Sequence, residues 1–150
     1  MTMKNYFFLA VGLAVIAGSF YLVLQKPAPE KYSSPAVSIG NTTFAIEIAD
    51  TEAERSKGLS GREALETGRG MLFIFPEPGP YAFWMKDMKF AIDIVWIDEA
   101  LRVIGITRGV GPETFPQTFF PPGPVKYVME VPAGAAEFIE PVRDMLQFKL

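Results

Sequence analysis

The sequence has no cysteine and no histidine. Without thiols there is no disulfide, no thiolate nucleophile and no thiolate metal site. Without imidazole there is no serine–histidine triad and no histidine zinc centre. Any catalysis must run on Asp, Glu, Lys, Arg, Tyr, Ser or Thr. The missing cysteine leaves the compartment open, because an exported domain can do without staples. Basic charge is also short: 14 Lys and Arg stand against 17 Asp and Glu, a net charge of -3. Lys4 and Lys26 precede Pro27 and no acid does, leaving 12 bases against 17 acids, or -5, in the remainder. Such a surface repels phosphate backbones, so no nucleic-acid partner is expected.

Apolar residues are plentiful, at 49% against 21% charged, and 150 residues fit one domain plus an appendage. The appendage is "YFFLAVGLAVIAGSFYLVL", residues 6–24, an uncharged run of 19 residues. As a helix it is long enough to cross the hydrocarbon layer. Residues 1–26 are therefore expected to be a transmembrane anchor or a signal segment. Ala17 and Ser19 offer a small-x-small cleavage pattern, although "FYLVL" continues the run beyond it. Lys4 is offset by Lys26 and Lys31, so charge bias leaves the orientation open. Either reading puts the rest of the chain outside the cytoplasm, anchored to the membrane, or secreted or periplasmic after cleavage. Residues 27–36, "PAPEKYSSPA", read as a Pro-rich linker.

Residues 37–150 read as a single β-rich domain. "VSIGNTTFAIEIAD" has strand alternation on both sides of a Gly40-Asn41 turn. "TEAERSKGLSG" is a short helix, with Thr51 and Glu54 spaced as a capping box and Gly58 at the end. "GMLFIF" is a strand that "PEPGP" should stop. "YAFWM" and "AIDIVWI" follow as two paired strands, the second apolar on both faces. "LRVIGITR", "VKYVMEV" and "MLQFKL" are further strands, "GAAEFIEP" is a helical turn, and residues 109–124 form a Phe/Pro/Gly loop. The expected fold is α+β and mostly β. It is a compact barrel or sandwich of short, mainly antiparallel strands with one or two short helices and no βαβ rhythm.

Four motifs in order, "ERSKGL", "GMLFIF", "FWMKDMKFAIDIVWID" and "YVMEVPAG", resemble the domain of unknown function 192 family over residues 37–150. The resemblance implies a compact β-rich fold, frequent export or membrane anchoring, and no established activity. Asp87 stands where that family usually has an amide, Ala91 where Pro is common, and Arg143-Asp144 where Gly-Asp is usual.

Charges inside the apolar stretches mark candidate site residues. Strand parity sets Trp84 and Lys86 opposite Phe83 and Met85, Asp93 with Val95 and Ile97, and Glu130 with Val128. Asp93 and Glu130 thus point among apolar neighbours and need partners, for which Arg55 and Lys86 are at hand. One reading is a structural polar cluster in which Arg55 pairs with Asp93 or Glu130. Another is a ligand cleft, with Trp84 as a wall, Arg55 and Lys86 meeting a small anionic or polar ligand, and Asp93 and Glu130 orienting it. A third is a glycan or ester hydrolase using Asp93 and Glu130 as an acid/base pair. No cofactor or metal is expected. A thioether site for Cu(I) at Met85 and Met88, with Met71, Met129 and Met145, is the weaker reading beside core packing. Phe115, Phe119 and Phe120 either tuck over the end of the barrel or form an exposed apolar patch for a protein partner or for the membrane surface. The preferred expectation is a membrane-tethered or exported binding or accessory domain with a cleft near Trp84.

Overall fold

Alternating apolar residues around a tight turn start the domain. β1 (Ala36–Ile39) and β2 (Thr42–Ala49) pair as a hairpin, with Gly40 at φ +57°, the left-handed geometry such a turn needs. The computed structural model describes residues 35–149. The expected anchor or signal segment, residues 1–26, lies outside them. Among the described residues no helix is long and apolar enough to cross a membrane.

After β2 the chain enters α1 (Glu52–Lys57), closed at its start by the expected capping box of Thr51 and Glu54. It returns as β3 (Arg69–Gly79), which pairs with β2 in parallel. The strands are mainly antiparallel as expected, but one βαβ crossover is present where none was expected, and it positions α1 beside the site. β3 also outlasts its expected stop. Pro76 and Pro78 are accommodated at a register shift between Ile74 and Gly79, where a missing amide donor costs no ladder bond.

β5 (Ile92–Ile97), β6 (Val103–Val110), β8 (Val125–Pro132) and β9 (Leu146–Lys149) complete a sheet of order β6-β5-β8-β3-β2-β1-β9. It curls until Arg102 and Met145, flanking its two outermost strands, form a bridge. The other expected pairing is corrected. β4 (Phe83–Trp84) does not join β5 but pairs with β7 (Thr118–Phe119), so Phe83 lies opposite Phe119. A 3-10 turn at Pro112–Thr114 completes the loop that carries β7.

The curl gives the sheet an inner and an outer apolar layer. Inside lie Val37, Phe44, Ile46, Leu72, Val95, Ile97, Met129, Val131 and Leu146. Outside lie Met71, Phe73, Phe75, Ile92, Ile94, Trp96 and Val128, covered by Leu59, Met85, Met88 and Phe83. All six residues of β5 are buried, as a strand covered on both faces must be.

Candidate functional site

Sheet parity decides where each charge goes. Asp93 faces inward with Val95 and Ile97, whereas Glu130 faces outward between Met71 of β3 and Ile94 of β5. The two carboxyls lie on opposite faces of the sheet. Opposite faces do not bring them to one substrate, so the alternative acid/base pairing of Asp93 with Glu130 is not formed.

Asp93 is fully buried and needs no cation. Its Oδ1 accepts the Gly109 N–H at 2.7 Å, and its Oδ2 accepts those of Gly134 and Ala136 at 2.9 and 3.1 Å. It ties the Pro132-Ala133-Gly134 turn to the end of β6. Backbone amides thus replace the expected pairing with Arg55.

Glu130 is the reverse case. It is 5% exposed, and its Oε2 is buried with no hydrogen-bond partner among the described residues. Burial pushes its carboxyl up to about 8, against the weaker opposing pull of the Arg62 guanidinium. Arg62 itself is held by Glu47 through two bonds of 2.7 and 2.8 Å. That bond holds the Glu47 carboxyl below its ordinary value.

Above Glu130 opens a cleft of about 330 Å³. α1 and the segment after it contribute Arg55, Gly58, Leu59 and Ser60; β3 contributes Phe73 and Phe75; the next segment contributes Tyr81, Phe83, Trp84 and Met88. The walls are held by aromatic geometry. Phe83 meets Phe73 and Trp96 edge to face at 5.0 and 5.6 Å, and Phe75 stacks on Tyr81 at 3.6 Å. The Arg55 guanidinium lies over the Phe75 ring, 5.3 Å from its centroid, and its Nη1 donates to the carbonyls of Asp50 and Ile74. The Ser60 hydroxyl donates to the Lys86 carbonyl at 2.9 Å, tying the two walls together.

The structure therefore brings Arg55, Trp84 and Glu130 into one cleft, with Trp84 57% exposed at its wall. Lys86 is exposed and does not line it, and Asp93 is on the far face. Sequence reasoning missed Phe73, Phe75 and Tyr81 as walls, and the Glu47–Arg62 pair beside the floor. Strand parity in "GMLFIF" already set Phe73 and Phe75 on the face of Met71, but not which face Glu130 would share. Asp87 adopts φ 57°, a conformation Asn and Asp tolerate better than most residues, and does not line the cleft.

Met71, Met85 and Met88 are buried in the outer layer, Met129 in the inner one, and Met145 is 46% exposed, so the five thioethers do not converge. Among the described residues no group of three or more acidic side chains is placed to hold a metal ion. Phe119 packs against the outer layer, while Phe115 and Phe120 are exposed.

Two solved structures share this architecture. One is a suggested transcription regulator from Sinorhizobium meliloti 1021, at 26% identity and TM-score 0.71, covering 76% of this chain and 92% of that one. The other is a protein of unknown function from Novosphingobium aromaticivorans DSM 12444, at 28% identity and TM-score 0.71, covering 80% and 89%. No curated protein is a significant match. The family described as "Uncharacterized ACR", domain of unknown function 192, matches residues 36–142, which hold the capping helix, the aromatic walls and Glu130. The chain belongs to the domain of unknown function 192 family.

Proposed function

We propose that this is a small binding or accessory domain whose ligand enters the cleft between α1 and the Trp84 segment. One observation carries the reading. A cleft with aromatic walls ends on a buried carboxyl whose oxygen has no partner, and a native fold rarely leaves such an atom unsatisfied without a use for it. Arg55 serves the cleft from its rim through Phe75, rather than pairing with an acid. Thermal-shift screening of the full chain against small anions, sugars, peptides and flat heterocycles tests this. The expected result is at least one compound that stabilises the wild type but not Trp84→Ala. Equal stabilisation of both proteins by every hit would contradict it.

We propose further that residues 6–24 tether the domain to a membrane and set it outside the cytoplasm, or export it and are removed. The support is the uncharged run of 19 residues. Full-length protein that resists carbonate extraction indicates the tether; a shortened mature chain in the soluble fraction indicates cleavage. Full-length protein in the soluble fraction would contradict both.

A second reading rests on Phe115 and Phe120, 47% and 61% exposed on the loop that carries β7. They suit a protein partner, and co-purification that survives Phe115→Ser with Phe120→Ser would count against it.

A further inference from the structure

The groups around Glu130 restrict what can meet it. β3 and β5 flank it with Met71 and Ile94, both apolar. Arg62 is engaged with Glu47 of β2. From α1, Glu52, Arg55 and Lys57 share the cleft, and Arg55 donates to the carbonyls of Asp50 and Ile74. From the opposite wall the Tyr81 hydroxyl donates to the Glu77 carbonyl at 2.7 Å. Among the described residues no cation bonds to Glu130, and an apolar surround favours its neutral form.

A neutral carboxyl offers an O–H donor beside a carbonyl acceptor. Its natural complement is a planar edge bearing one acceptor and one donor, as in an amide, a lactam or many heterocycles. A ligand cation would need Glu130 ionised, at the cost of burying the charge. It would also pass a rim with two cations, Arg55 and Lys57, against one anion, Glu52. A ligand anion would be met at that rim but would bring only acceptors to the floor. The cleft's about 330 Å³ suits a molecule of one or two rings.

We infer that the cleft takes a flat, uncharged ligand whose adjacent hydrogen-bond donor and acceptor pair with the Glu130 carboxyl while its ring lies among Phe73, Phe83 and Trp84. This rests on the cleft being a binding site and specifies the chemical class of its ligand. The raised affinity of Glu130 for its proton agrees with that geometry and makes binding depend on pH.

Isothermal titration of the full chain with benzamide, benzamidine and benzoate tests it. The three share a ring and a size and differ in the edge they present. Benzamide is expected to bind tightest, with affinity falling about thirtyfold from pH 6.5 to 9.5 as Glu130 ionises. Glu130→Gln, which keeps a donor and an acceptor, is expected to hold benzamide within about threefold of wild type and to lose the pH dependence. Glu130→Leu, with its melting transition checked, is expected to lose about tenfold or more. Benzamidine binding tightest, and tighter as pH rises, would overturn the inference in favour of an ion pair. Benzoate binding tightest would overturn it in favour of an anion site at Arg55 and Lys57. If none of the three binds, while other compounds stabilise wild type and spare Trp84→Ala, the ligand class is wrong and the cleft stands. If no compound distinguishes wild type from Trp84→Ala, the cleft reading itself fails.

Discussion

At the residue scale, two carboxyls in apolar strands meet opposite fates, and each makes a prediction. Asp93 is satisfied by three backbone amides. Asp93→Asn keeps the shape but turns an NH₂ toward amide donors, so unfolding in urea should show a loss of roughly 2–4 kcal/mol. Ligand binding in the cleft should be untouched, because Asp93 lies on the other face. Glu130 has a folded pKa of about 8 against an ordinary 4.5. Its contribution to stability is therefore whole below about pH 4.5 and is lost as pH rises to about 8 and beyond. Glu130→Gln removes that dependence. Wild type should lose stability relative to the variant between pH 5 and 9, by roughly a few kcal/mol in denaturant midpoints multiplied by slope. Parity made the burial of both residues legible in sequence. Their partners were not legible, because the amides that hold Asp93 come from turns 16 to 43 residues away.

At the element scale, the cleft depends on α1 and on the β4–β7 pair. The capping box was readable, since Thr51 and Glu54 satisfy each other locally. Thr51→Ala should cost about 1 kcal/mol by thermal unfolding and should also weaken ligand binding by loosening the helix that carries Arg55. The β4–β7 pair was not readable, because its short strands are set by long-range closure over Phe73 and Trp96 rather than by local pattern. Gly70 sets how closely β3 approaches β8. A Cβ there would sit 3.0 Å from the Glu130 carbonyl and 2.9 Å from the end of Met129. Gly70→Ala should destabilise by roughly 1–3 kcal/mol in chemical denaturation and shift the cleft floor with it.

At the scale of the whole molecule, one curled sheet separates a structural interior from an outer layer that opens into the cleft. Mostly-β architecture, strand faces and family were legible, since alternation and motif order carry them. The curl, the parallel β2–β3 crossover and the facing of Glu130 toward the aromatic walls were not. They depend on strand order, which local periodicity does not encode. The central claim is that this outer cleft is where the domain meets a ligand. The most direct measurement is an NMR titration of the isotopically labelled full chain with the most stabilising compound of the thermal-shift screen. Saturable shifts are expected at Leu59, Phe73, Trp84 and Glu130, and their loss in Trp84→Ala. Saturable shifts confined to other parts of the domain, with those residues unmoved, would contradict the account.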